Sequence, residues 1–364
     1  MRFTLLHYRA PVLCALATAV LIGGSAPFTK LLIDGAGPLA LAALVSLGSG
    51  SGALLFSLVG AATGARRSHM EAPLERGDIP WLIGVTVCGG LLAPVTLIFS
   101  LPGTPAATAA LLLNFEAVAT TLIAAAIFQE SVSSRVWVAL GCITVSCVIL
   151  THDPTGGFGL SLSALGILLT CLFWAVDNNL GQRLSVKDPL RVISVKGIGA
   201  GVVTLLLALA AGEHLPDPAT AAAAMVVGFL SYGGLTSILF LLALRGIGAA
   251  RAGSLLAVSP FFGVLFSFAL FAESPAGVFY VALPVMALGA WLLITEEHSH
   301  PHRHPATVHE HRHRHDDLHH DHTHAAGDPP LSASGEHSHR HVHAELAHDH
   351  PHQPDIHHRH THRR

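Results

Sequence analysis

Apolar residues fill this chain in long stretches separated by short polar connectors, from its start to about Thr295. A bilayer span needs about 20 predominantly apolar residues. Ten stretches meet that length, at about 11–33, 38–63, 79–100, 106–128, 134–151, 160–182, 191–212, 219–244, 249–271 and 276–295. The connectors carry turn chemistry: Asp34-Gly35, Pro102-Gly103, Asp153-Pro154, Asp188-Pro189 and Asp217-Pro218. A large soluble helical protein would keep polar faces on most of its helices. Stretches such as Ala106–Leu113 and Gly201–Ala211 have none. The pattern predicts an all-α integral membrane protein. Arg2 and Arg9 ahead of the first stretch, and Gly24-Ser25-Ala26 within it, have the form of a signal peptide. Its apolar run continues through Phe28 to Ile33, which suits a retained span.

The ten stretches divide into two sets of five. Shifting the chain by 143 residues lays Thr104–Val132 on Ile247–Pro275 with ten identities in 29 positions. The informative pair is Glu130-Ser131 against Glu273-Ser274, because charges are rare in these stretches. An odd number of spans per half makes the second copy enter from the opposite side. The expected architecture is ten transmembrane helices as two inverted five-helix repeats, with any substrate site near the midplane between them. The predicted organisation is an N-terminal segment 1–10, repeats 11–151 and 160–295 joined by a loop at 152–159, and a tail from 296 to 364.

Composition sharpens that division. The whole chain is 51% apolar and 12% charged, with a mean hydropathy of +0.55. Of its 27 histidines, four (His7, His69, His152, His214) precede residue 298 and 23 follow from there. Through Thr295 the balance is 13 basic to 12 acidic residues; beyond it, 7 to 11. No basic surface remains for a nucleic acid. Basic residues mark the cytoplasmic side of a membrane protein. With the N-terminus inside, 12 of the 13 basic residues lie on the inner side and only Lys30 on the outer, so both termini are expected in the cytoplasm. The five cysteines all fall in apolar stretches without a CxxC pair and are read as small hydrophobic residues.

Four motifs stand out in these stretches. The first half has Gly23-Gly24-Ser25-Ala26-Pro27-Phe28-Thr29-Lys30, and Leu113-Asn114-Phe115-Glu116-Ala117-Val118 leading to Glu130. The second half has Leu172-Phe173-Trp174-Ala175, and Ser259-Pro260-Phe261-Phe262 leading to Glu273. Together they resemble the EamA group of drug/metabolite transporters. One departure is Ala117, where the family usually has proline; the second half keeps Pro260. The resemblance implies an inner-membrane permease for a small metabolite or toxic solute, often moved outward.

Ionisable groups at membrane depth need a partner or a cavity. Glu116, beside Asn114 in the fourth stretch, is the deepest, and either binds a cationic group or coupling proton or is a hydrogen-bonded structural carboxylate. Lys30 either snorkels to the interface or, as the resemblance implies, faces a cavity. Asp177, Asn178 and Asn179 are consecutive in the sixth stretch and point three ways on a helix, and Asn178 and Asn179 read as lining of a substrate cavity. Asp177 lies at a depth similar to Lys196, so the two are expected to pair, as a gate or a tie. Arg245 and Arg251 read as topology anchors, Glu130 and Glu273 as helix-end groups. Pro27, Pro94, Pro260 and Pro284 are expected to break spans one, three, nine and ten. Gly48–Gly52 and Gly197–Gly201 are expected at close helix contacts.

The tail repeats His-X-His and is too polar to build a core, so disorder is expected. Neutral imidazoles at alternate positions of a flexible chain suit Zn, Ni, Co or Cu without a fixed geometry. Candidate ligands are His298, His300, His302, His304, His311, His313, His315, His319, His320, His322, His324, His337, His339, His341 and His343. No cofactor is required by any motif, and no Walker loop, kinase signature or nucleophile elbow points to ATP-driven transport or enzymatic activity. Two function classes remain. The first is a secondary permease for a small organic solute, by alternating access with a coupling proton, embedded in the plasma membrane. The second is a divalent-metal transporter whose tail captures the ion; its weakness is the absence of histidine in the deep parts of the spans. A membrane-anchored metal sensor would leave ten spans unused.

Overall fold

Asp-Pro and Ser connectors start the helices of this protein by filling the donors that a first turn leaves open. In the computed structural model, Asp188 accepts from the Leu190 amide at 3.0 Å ahead of Pro189. Asp217 accepts from Ala219 and Thr220 ahead of Pro218. The Thr220 hydroxyl donates to the same carboxylate and, with these amides, holds it below the ordinary aspartate range. Ser133 and Ser161 cap the helices at Ser134 and Leu162. The structure describes residues 2–63, 73–127, 132–152, 161–185, 187–272, 275–295 and four tail segments. Asp153-Pro154, Glu130-Ser131 and Glu273-Ser274 lie outside them.

Among the described residues, nine helical stretches are long and apolar enough to cross a bilayer. Spans one to eight run Ala10–Lys30, Pro38–Ala62, Arg76–Ser100, Ala106–Ile127, Ser134–Thr151, Leu162–Leu184, Pro189–Ala210 and Pro218–Leu244; span ten runs Gly277–Ile294. The shorter apolar helix Ser259–Leu270 occupies the place of span nine. Side chains such as Leu55, Val148, Leu206 and Val281 are each more than half exposed, the outward apolar surface that lipid requires. A buried cluster joins Leu97, Leu111, Ile143, Ile167, Phe279 and Met286 from spans three to six and ten.

Several spans are broken, and not only where proline predicts it. Span four turns at Leu113-Asn114, and the ninth region turns at Ala257-Val258. A shift of 143 residues places the first break within one residue of the second, so the repeat is visible in backbone as well as in sequence. The span-four break occurs without a proline. The Leu112 and Leu113 carbonyls lie 3.6 Å from the Cys171 thiol, which donates to them from span six. Span eight breaks at Tyr232-Gly233, where Gly233 adopts a φ of +115° that L side chains avoid. From Gly234 the helix continues to Leu256, through the connector predicted between spans eight and nine. Pro284, expected to break span ten, lies inside a continuous helix.

Pro94 acts one turn before itself. Its ring excludes the carbonyl of Gly90 from the normal helical bond, and Thr86–Leu92 widens into a π-helix. The displaced Gly90 carbonyl accepts instead from the Ser46 hydroxyl of span two, at 2.9 Å.

Span two is wedged between spans seven and eight along the small-residue runs. A Cβ on Gly197 would lie 2.5 Å from the Gly50 nitrogen, and one on Gly228 would lie 2.0 Å from the Val45 carbonyl oxygen. The close contacts expected at Gly48–Gly52 and Gly197–Gly201 are present.

The start of span two is capped from a distance. Glu213, in the connector after span seven, accepts from the Leu39 amide at 3.2 Å and the Ala40 amide at 2.9 Å. A carboxylate at a helix N-terminus also meets the positive end of the helix dipole. Glu213→Ala is expected to lower stability by about 1 kcal/mol, with Glu213→Gln recovering part of it. Thermal unfolding of the purified protein measures both.

Four segments of the tail have a described backbone. Strand β1 (Ser299–His304) pairs antiparallel with β4 (Leu346–Pro351), and β2 (Thr307–His313) with β3 (His337–His343). His-X-His repeats every two residues, the period of a pleated strand, and ladder pairing satisfies backbone groups without a core.

Candidate substrate cavity

The polar residues of spans four, six and seven meet in one cavity of about 830 Å³. Asn114, Glu116, Asp177, Asn178 and Lys196 all line it, as do Ser46, Ser49, Gly89 and Gly90 from spans two and three. Trp174 and Tyr232 contribute an aromatic wall, with ring centroids 6.3 Å apart. Lining residues Val136 and Leu293 belong to the end of the bundle where residue 10 and residue 294 lie. The cavity thus extends from midspan toward the end where residues 10 and 294 lie.

Local backbone places each group. The break at Leu113-Asn114 tightens the chain, with the Glu116 amide bonded to the Leu113 carbonyl and the Ala117 amide to that of Asn114. Asn114 and Glu116 are thereby presented at the start of a new helix, Phe115–Ile127. Asn114 Nδ2 donates to Met286 Sδ of span ten at 3.2 Å. Asn178 Nδ2 donates to Glu116 Oε1 at 2.7 Å and to Thr120 Oγ1 at 3.3 Å. Lys196 Nζ bonds and ion-pairs with Asp177 Oδ2, as the matched depths predict. A Cβ on Gly89 would lie 2.2 Å from the Asp177 carboxylate, so the glycine of the π-turn is what leaves room for the pair.

Two of the expected site residues stand apart. Asn179 is buried behind the lining, donating to the Thr120 and Ala175 carbonyls at 3.2 and 2.8 Å. Lys30 lies at the opposite end from the cavity mouth. It neither lines the cavity nor merely snorkels: Nζ donates to the Thr104 carbonyl at 2.6 Å and sits 5.8 Å from the centroid of Phe271. Beneath it Thr29 and Tyr232 share a hydroxyl bond of 2.8 Å, and Phe28 packs on Phe266 at 5.1 Å. Spans one, eight and nine therefore close that end.

Sequence reasoning passed over Ser46, Ser49 and Tyr232. Ser49 falls in the Gly-Ser run read as packing and Ser46 two residues before it; Ser49 Oγ donates to the Tyr232 carbonyl at 2.8 Å, freed at the span-eight break. No proline or charge marked that break. Glu130 and Glu273, and His298, His315, His319, His320, His322 and His324, lie outside the described residues; only backbone is described for Arg245, Arg251 and the other tail histidines named above.

Two five-span halves around a midspan cavity, closed at one end, define a multi-pass membrane transporter. The EamA-like transporter family matches residues 9–152 and 161–295, and the chain belongs to that family. An uncharacterized transporter of Methanothermobacter thermautotrophicus is 28% identical over 236 residues, 63% of this chain and 68% of the relative. The uncharacterized inner membrane transporter YedA of Escherichia coli K12 is 25% identical over 302 residues, 80% of this chain and 93% of YedA. A solved crystal structure, 19% identical, superposes with a TM-score of 0.55 over 78% of this chain and 96% of its own; that likeness concerns the fold.

Proposed function

We propose that the protein is a secondary transporter of a small organic solute, working by alternating access about the cavity. The observation that carries this reading is a cavity between the repeats with Glu116, Asp177 and Lys196 in its largely apolar lining, reaching one end of the bundle while Lys30, Phe271 and the Thr29–Tyr232 bond close the other. With basic residues inside, this is the cytoplasm-facing state of an inner-membrane protein. Glu116 carries the coupling proton in this scheme, because a membrane carboxylate held by a neutral amide can change charge without leaving a bonded partner ionised.

The test is carrier-mediated flux of a broad metabolite panel in proteoliposomes of the full chain. Thr236 is buried in the lining. Thr236→Trp puts a bulky ring into the cavity and is expected to reduce flux sharply while the protein stays monodisperse. Glu116→Gln is expected to abolish solute-driven proton movement, read with a pH-sensitive dye. Absence of flux for every compound in the panel would sink the transport reading.

The tail is proposed as an accessory segment that holds Zn, Ni, Co or Cu. Its register favours this: His309 stands opposite His341, His311 opposite His339 and His313 opposite His337. Equilibrium dialysis with Zn should show binding by the full chain that removal of residues 298–364 eliminates, with organic-solute flux unchanged. Metal flux through the spans that Glu116→Gln and Asp177→Asn abolish would favour the metal-transporter reading instead. Among the described residues no three His, Cys, Asp or Glu side chains converge on one point, which favours the organic solute.

A further inference from the structure

We propose that the solute carried by this cavity is a singly charged organic cation, an amine whose positive head meets Glu116 and whose apolar body lies against Trp174 and Tyr232. The inference rests on the transport reading above and names the chemistry of its cargo.

Three described lining residues carry a formal charge: Glu116, Asp177 and Lys196. Lys196 is engaged by Asp177, so that pair is neutral as a unit and each charge has its counterion. Glu116 has only neutral donors among the described residues, Asn178 being the one within bonding distance. An amide donor satisfies one lone pair of the carboxylate and supplies no charge. A solute with an ammonium head completes the set; one with a carboxylate head meets like charge at the same point.

Geometry then shapes the rest of the cargo. Trp174 and Asn178 are four residues apart on span six, so they share a face with one turn between them, about 6 Å along the axis. The amide that holds Glu116 therefore lies one turn from the indole, and Tyr232 continues the aromatic wall across to span eight. Because span six runs toward the termini, Trp174 is on the closed side of Asn178. An aromatic face stabilises a nearby cation and packs against an apolar body. The space suits a head at Glu116 and a body directed inward.

A matched set separates charge from shape: phenethylamine, ethylamine, phenylacetate and 2-phenylethanol, offered to the full-length purified protein in ligand-induced thermal shift and in vesicle counterflow. Phenethylamine is expected to bind and exchange. Glu116→Gln should weaken it about tenfold or more, the loss of a charged hydrogen-bond partner, while Glu116→Asp keeps most of the effect. Trp174→Leu should weaken phenethylamine several-fold more than ethylamine, a split that general loss of structure would not produce. Phenylacetate or 2-phenylethanol carried as well as phenethylamine would overturn the inference. So would Glu116→Gln that leaves phenethylamine binding as it was. In each of those outcomes a carried compound still upholds transport itself, so failure of the charge inference is distinct from failure of the transport reading.

Discussion

Gly197→Ile is expected to prevent assembly of the bundle rather than to weaken it slightly. The atoms that an added Cβ meets are main chain: Gly50 N at 2.5 Å, Gly50 Cα at 2.6 Å and the Ser46 carbonyl oxygen at 2.8 Å. A flexible side chain would step aside; backbone yields only if span seven moves away from span two. On the other side of span two, the Val45 carbonyl blocks Gly228 and the Met225 carbonyl blocks Gly48, so span two has nowhere to retreat. Overpacking a core usually costs about 1–3 kcal/mol, and a contact that separates two backbones exceeds the usual case. Gly141→Ala is the control. Nothing lies within 4 Å of its added Cβ, and alanine favours the helix by up to about 1 kcal/mol. Fluorescence-detected size exclusion and thermal unfolding should show loss of the monodisperse protein for the first variant and equal or higher stability for the second.

Lys196→Met is expected to give the second largest loss. Its side chain and that of Asp177 are 25% and 12% exposed, so removing the ammonium strands a carboxylate under Gly89 with little water. Breaking a buried pair by removing one partner costs about 3–5 kcal/mol, and the partial exposure of both side chains places this pair toward the lower end. The double variant Asp177→Asn with Lys196→Met should regain most of the stability, because neither charge is then left alone. It should not regain flux if the pair opens and closes during transport. Stability recovered with flux still lost identifies a moving pair; both recovered together identify a structural tie. Thermal unfolding and counterflow on the same preparations decide between them.

The Asp177–Lys196 pair is foreseeable from the sequence, since two charges at matched depth in hydrocarbon have few alternatives to each other. The glycine runs likewise announced close packing. What they pack against was not legible: Gly197 meets Gly50, and Gly228 meets Val45, only after the spans are arranged. Lys30 shows the limit most clearly. Its depth near a span end allowed an interface or a cavity, and its partners at Thr104 and Phe271 come from other connectors and spans. The breaks at Asn114 and Gly233 escaped because their cause is not a proline. Carbonyls freed there are met by Cys171 and Ser49, partners distant in the chain that no local pattern names.

By itself the sequence determined the number of apolar stretches, their grouping in two inverted halves, the separate character of the tail, and which polar residues lie at membrane depth. Each follows from a local quantity: length, hydropathy, charge or repetition. The tertiary structure alone decided that Glu116 is held by Asn178, that Gly89 yields its side-chain space to Asp177, and that Lys30 belongs to the closed end. A lipid-facing helix and a cavity-facing helix are both apolar along most of their length. Which face of each span meets water is settled by helix-to-helix contacts between residues far apart in the chain, and those exist only in the folded bundle.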